Sequence, residues 1–237
     1  MKIDRTLQIT LSCLTLACAC GCANQKAWVY RSNSYSPPAF TTAKTVSVQA
    51  FEDGRENRNN NAWMLYMIPV MPCGWQTFDA PEGSPMHMTT GQWLNYKPTE
   101  DYAKALAEDL QKTGLFTDAF FDYRSTASDY AVKGKIVSTK YHGVIFSYGL
   151  SVYGPLLWVF GFPAATASNE LALELSLVDS KTHKPLLSKV YTATPRKNVS
   201  FMYVMKNDFN YPEMLAEVNK QFCQEIPAVL LANSKSQ

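Results

Sequence analysis

Residues 148–167 read YGLSVYGPLLWVFGFPAATA, without one Asp, Glu, Lys or Arg. The uncharged region runs from Lys140 to Glu170, with His142 its only histidine. As a membrane-spanning helix it would make the chain an integral membrane protein; as a hairpin it would belong to a sheet. The length suits a span. Gly149, Gly154, Pro155, Gly161 and Pro163 interrupt it, however, and Gly154-Pro155 would break a helix near its middle. Val144, Phe146, Tyr148, Leu150 and Val152 instead alternate with Ser147, Gly149 and Ser151, the period of a strand. Tyr130, Val132 and Ile136 share that even-numbered phase, so one strand or two in succession are expected over 129–153. A turn at Gly154-Pro155 would send PLLWVFGF (155–162) back, with Trp158, Phe160 and Phe162 on one side if extended.

Three destinations are open to this segment. It can pack on the protein's own sheet, or on the apolar run AWMLYMIPVMPCGW (62–75). It can form an exposed surface for a protein partner or a membrane interface, where Trp and Tyr are at home. Tyr148, Tyr153, Leu156, Trp158, Phe160 and Phe162 are then the contact residues. Or it can be a membrane-inserting β-hairpin, which needs a closed oligomer to satisfy its edges.

Outward from this stretch the elements read as α+β: a mixed or antiparallel sheet of four to five strands, two helices and long irregular insertions. PTEDYAKALAEDLQKTGLF (98–116) is the clearest helix. Thr99 is placed to cap it, Glu100 and Asp101 favour its positive end, Tyr102, Leu106 and Leu110 form its apolar face, and Gly114 stops it. Strands are expected at TVSVQAF (45–51), AFFDYR (119–124), SDYAVKGKIVSTKY (128–141) and NELALELSLVD (169–179). The last pairs with PLLSKVYTAT (185–194) as a hairpin. A final helix starts near Tyr211 with Leu215, Val218, Phe222 and Ile226 as its buried stripe, and Pro227 should kink or end it. Residues 45–233 are read as a single domain with an insertion at 54–98 and a frayed tail at 234–237.

The first residues, MKIDRTLQITLSCLTLACACGCAN, have a basic start, a short apolar middle and a small-residue exit, the layout of a secretory signal. The exit resembles a bacterial lipoprotein signal, which implies lipidation of Cys22 after Gly21, with Cys20 as the alternative and 1–21 removed. Acyl chains on that cysteine would anchor the chain without a transmembrane helix. Residues 22–44 would then be anchor and flexible tether. Ala23 after the anchor, where an Asp would signal inner-membrane retention, implies the outer membrane, facing the periplasm. Cys73 and Cys223 are a candidate disulfide in an oxidising compartment.

A net charge of +2 gives no basic field for nucleic acid. No HExxH, GxSxG or phosphate-loop motif occurs. His87, between Met86 and Met88, is a bare triplet that suits a soft metal but reads as loop; His142 and His183 are isolated. No cofactor, metal or catalytic residue is expected. VSVQAFED (46–53), TGLF (113–116), DYAVKGKI (129–136) and LVD (177–179) look like envelope lipoproteins of the ABC-transporter-auxiliary and curli-secretion-channel kind. That resemblance implies a non-enzymatic accessory in envelope transport or assembly, partnered by the bilayer and by a protein or further copies of itself. The competing reading is a ligand-binding protein or enzyme with a pocket closed by residues 54–98.

Overall fold

A computed structural model describes residues 26–82, 93–94, 96–123, 128–204 and 209–234. Cys20, Cys22, the signal segment, His87 and residues 235–237 lie outside the described residues. The fold is α+β, as the patterning predicts, but with two substantial sheets where one is expected.

Strands are numbered here in chain order. The first sheet orders β12 (Pro185–Thr192), β11 (Ala172–Asp179), β8 (Tyr130–Ser138), β2 (Thr42–Val48) and β7 (Phe116–Phe121), with β3 (Glu52–Asp53) also on β8. β12, β11 and β8 are antiparallel neighbours, whereas β2 runs parallel to both β8 and β7. The mixed order follows from α1 (Pro98–Thr113), which carries the chain back over the sheet between β2 and β7. α1 and α3 (Tyr211–Ser234) cover one face. Every second residue of β11 faces them: Leu171, Leu173, Leu175 and Leu177 are buried, beside Val46, Val48, Val132 and Ile136. Tyr102, Leu106 and Leu110 of α1 meet them from above, as do Leu215, Val218, Phe222 and Ile226 of α3.

The second sheet is antiparallel: β13 (Arg196–Phe201), β10 (Pro163–Asn169), β9 (Tyr141–Phe146), β5 (Cys73–Phe78) and β4 (Asn60–Asn61). One ribbon joins the sheets. β8 and β11 pair as far as Ser138 and Ala172, and β9 and β10 resume pairing at Tyr141 and Asn169. Between them Glu170 N–H donates to the Lys140 carbonyl at 2.9 Å. The two-residue interruption reverses the alternation: Val132 and Ile136 are buried in β8, Tyr141 and Gly143 in β9. A single even-numbered phase over 129–153 therefore does not hold. β1 (Lys26–Ala27) and β6 (Trp93–Leu94) form a separate parallel pair.

Several local expectations change. Pro98 occupies the first turn of α1, where its missing N–H costs nothing. Lys97, not Thr99, is the capping residue; its N–H donates to Asp101 Oδ2 at 2.7 Å. Gly114 ends the helix in the left-handed region, as expected. α3 continues through Pro227 to Ser234, with Ile226 and Leu230 buried on either side of the proline. Residues 28–41 do not run free as a tether. The Trp28 ring lies 5.3 Å from Tyr96 and 5.5 Å from Tyr102, and Tyr30, Tyr35 and Phe40 also pack on the main core.

A buried carboxylate fastens this segment. Asp109 of α1 accepts from the Tyr30 hydroxyl, from Asn33 N–H at 2.9 Å and from Asn219 Nδ2 of α3 at 3.0 Å. Burial raises the Asp109 pKa above its ordinary value, against the pull of those donors.

Candidate functional site

The far end of the second sheet is built from three chain segments, and none of them carries a formal charge. They are 62–78, 141–169 and 198–204. Lys206 and Asp208 follow the last of these, outside the described residues. The nearest described charges, Asp79, Lys140, Glu170 and Lys197, sit together at the opposite ends of the strands, because Phe78 and Asn169 both pair with Tyr141 and Ser168 pairs with Lys197.

Between β9 and β10 the chain forms a compact tip. Ser147 stops β9: its N–H donates to the Pro72 carbonyl at 2.9 Å and its hydroxyl to the Met71 carbonyl at 2.6 Å. Tyr148, Gly149 and Ser151 all adopt positive φ, so the backbone coils instead of extending. A 3-10 turn over Ser151–Tyr153 leads into one helical turn, α2 (Pro155–Val159). Strand therefore ends at Phe146, not Val152, and the return strand starts at Pro163. Trp158, Phe160 and Phe162 do not share one extended face.

The 62–75 run packs beside this tip as a 3-10 turn, Trp63–Met67, followed by β5. Val70 N–H donates to the Gly149 carbonyl at 3.0 Å, and the Ser151 hydroxyl donates to the Met67 carbonyl. Backbone approaches backbone so closely that a Cβ on Gly154 would come within 2.7 Å of Ser147 Cα. A Cβ on Gly74 would meet the Trp63 carbonyl oxygen at 2.2 Å. Within the 54–98 insertion, β4 and β5 are thus constituents of the second sheet, whereas β6 pairs with β1 and Tyr96 packs in the main core. The end of β13 completes the surface, with the Tyr203 hydroxyl 3.4 Å from the Val159 carbonyl.

Of the predicted contact residues, two are anchors and four are exposed. Trp158 is half-buried; its indole N–H donates to the Phe146 carbonyl at 3.0 Å and its ring lies 6.2 Å from Tyr66. Tyr148 donates to the Pro163 carbonyl at 2.6 Å and sits edge-on to Phe162, and burial raises its pKa. Tyr153, Leu156, Phe160 and Phe162 point outward, Phe160 with 78% of its surface exposed. They have company the sequence reading did not assign: Met64, Met67, Ile68 and Val70 from one segment, Met202, Tyr203 and Val204 from another. Val70 is 86% exposed. The signal that could have found these residues is the shared lack of charge in all three segments. Large contiguous apolar patches on folded chains tend to mark interaction sites.

Other candidates resolve as ordinary structure. His142 Nδ1 is 2.8 Å from the Thr77 hydroxyl across the β5–β9 pair. His183 occupies the β11–β12 turn with positive φ. Cys73 and Cys223 are free: the first is on β5, the second inside the main core on α3, where burial pushes its thiol up to about 12. Among the described residues no group of three or more His, Cys, Asp or Glu is placed to hold a metal. No helix among them is long and apolar enough to cross a membrane.

No family model and no curated protein matches this chain. Solved structures share its outline at a distance. A Xanthomonas campestris protein of the DUF330 family is 10% identical, with a TM-score of 0.48 over 89% of this chain and 99% of that one. The PelC dodecamer from Paraburkholderia phytofirmans is 10% identical, with a TM-score of 0.35 over 79% and 91%. A hypothetical protein from Chlamydia trachomatis is 8% identical, with a TM-score of 0.36 over 80% and 96%.

Proposed function

We propose that this chain is a non-enzymatic lipoprotein of the bacterial cell envelope, an accessory in transport or assembly that works through its apolar tip. The observation that carries the reading is the exposed, uncharged end of the second sheet, made by three segments that converge from distant parts of the sequence. In water such a surface is unfavourable, at roughly 25 cal/mol for each Å² of apolar area. A partner that covers it recovers that free energy. The lipoprotein-like exit around Cys22, or Cys20, supplies the membrane attachment, and the outer membrane is the site of action.

The test is complementation in the native host. A deletion strain receives the wild-type gene or one with Tyr153→Ser, Phe160→Ser and Phe162→Ser. These exposed side chains hold no part of the core, so the variant is expected to accumulate normally yet leave the deletion's envelope defects uncorrected. Full complementation by the variant refutes the reading. Palmitate labelling, lost in Cys22→Ser or in Cys20→Ser, tests the anchor separately; unchanged labelling in both variants refutes it.

A further inference from the structure

We infer that the tip inserts into a lipid bilayer, at the boundary of headgroups and acyl chains, and so gives the chain a second membrane contact beside its anchor. This deepens the reading above by naming what covers the tip, and rests on the lipid anchor proposed there.

Hydrogen bonding comes first. A bilayer interior offers no donors or acceptors, so whatever enters it must satisfy its own backbone. The tip goes far toward this. Leu150, Tyr153, Gly154, Leu157, Phe160, Gly161 and Phe162 all donate their N–H groups to carbonyls inside the 147–162 segment. Ser147, Tyr148 and Val70 close the seam to the neighbouring segment. Four polar side chains of the tip are spent inward: the Ser147 and Ser151 hydroxyls, the Trp158 indole and the Tyr148 hydroxyl all donate to carbonyls of the tip region. A protein interface of ordinary size carries about 10 direct hydrogen bonds. The outward side chains of Met64, Ile68, Val70, Leu156, Phe160 and Phe162 offer no hydrogen-bonding groups, and the exposed Tyr153 and Tyr203 add amphipathic rings that suit the headgroup boundary.

Depth comes next. From the charged line at Lys140 and Glu170 to the end of β9 at Phe146, the strand spans roughly 20 Å. Interfacial elements bury only about 5–10 Å. The tip can therefore sink fully before any of those four charges reaches the headgroups.

The anchor also lies within reach of the membrane that the tip enters. The N-terminal described segment lies beside the joint between the sheets: Trp28 meets Phe209 edge-on with ring centroids 6.2 Å apart, and Asn210 N–H next to Phe209 donates to Asn169 Oδ1 at 2.8 Å. Asn169 is the joint end of β10 and Pro163 its tip end, roughly 20 Å away. Ahead of β1, the chain from Cys22 to Lys26 can extend by at most roughly 14 Å. With the tip sunk by about 5–10 Å, anchor and tip can rest on one membrane plane.

The experiment uses the full acylated chain, reconstituted into vesicles of phosphatidylethanolamine and phosphatidylglycerol. An environment-sensitive fluorophore is attached at Phe160→Cys, or at Lys181→Cys on the opposite sheet, in a Cys73→Ser background. Cys223 stays, because it is buried. Nitroxide-labelled lipids are expected to quench the Phe160→Cys label about fivefold more than the Lys181→Cys label, as shallow interfacial burial implies. Added salt should leave the difference unchanged, since none of the described tip residues is charged. Equal quenching at the two positions in chains that stay with the vesicles overturns the insertion and leaves the anchored-accessory reading intact. A Phe160→Cys label shielded from aqueous iodide to the same degree without vesicles also overturns it, in favour of a second copy of the chain. Chains that fail to stay with vesicles refute the anchor on which both readings depend.

Discussion

Asp109→Ala probes whether the segment after the N-terminal region is fastened by a buried anion. Asp109 and Asn219 are fully buried; Tyr30 and Asn33 are partly covered. The substitution removes the acceptor of the Tyr30 hydroxyl and of the Asn33 N–H, and one of two acceptors of the Asn219 amide, which keeps the Tyr30 hydroxyl. A hydrogen bond to a charged group contributes about 1.5–3 kcal/mol. The sum over three donors overstates the loss, because Tyr30 and Asn33 can turn to water and the variant no longer buries a carboxylate. The expected cost is about 2–4 kcal/mol, with Asp109→Asn at about half of that, since an amide still accepts from part of the set. Urea unfolding followed by far-UV circular dichroism measures both, and trypsin cleavage after exposed Arg31 reports detachment of the segment. The pH dependence gives a second readout. Burial raises the Asp109 pKa from its ordinary 3.8. The folded chain then holds this proton to a higher pH than the unfolded chain does. Stability from this group accordingly falls as pH rises from the unfolded value through the raised folded value. Asp109→Asn should lack that fall. An Asp109→Ala variant within about 0.5 kcal/mol of wild type would refute the fastening, since that is the range of neutral surface changes.

Gly154→Ala should loosen the tip without unfolding the first sheet, because the new methyl lands on the Ser147 backbone; hydrogen exchange is expected to speed up at 147–162 and stay unchanged in β11, and uniform protection would contradict the close approach. Leu175→Ala in the centre of β11 should cost about 2–5 kcal/mol in the same urea assay, as for other fully buried leucines; a cost under 1 kcal/mol would mean the core reading of β11 is wrong. Native protein at pH 8 should alkylate at half-buried Cys73 and not at Cys223, whose thiol titrates near 12; both should react in denaturant, and failure there would indicate that they are bonded after all.

The first sheet was legible because its strands separate two environments. Leu171, Leu173, Leu175 and Leu177 are all inside while Glu174 and Ser176 are less buried, so the alternation in the sequence is the alternation in the fold. Both long helices show the same contrast. Asp109 left a trace as well: it lies on the stripe of Leu106 and Leu110, where a carboxylate is out of place unless something binds it. Residues 28–41 hid because Trp28, Tyr30, Tyr35 and Phe40 are scattered among Ser, Asn and Pro, a composition that imitates a linker. The second sheet hid for a different reason. β10 reads PAATASN, small residues on both faces, and no hydrophobic contrast exists to be read.

That lack of contrast bears on the tip. Among the described residues the second sheet's own buried hydrophobic cluster is Phe78, Tyr141 and Ala167, whereas the first sheet's takes in thirty side chains and more at its margin. A five-stranded sheet with so little inside cannot owe its position to its own core. It is held by the continuous ribbon of β8–β9 and β10–β11 and by backbone contacts such as Gly74 against Trp63. Its large apolar side chains are available to pack inward, and many of them instead stand outside at one end, where none of the described residues carries a charge. Turning Phe160, Val70 and Tyr203 outward leaves stability unused that the second sheet lacks. Exposed apolar surfaces of that kind tend to mark interaction sites, which is why the proposed function is placed at the tip.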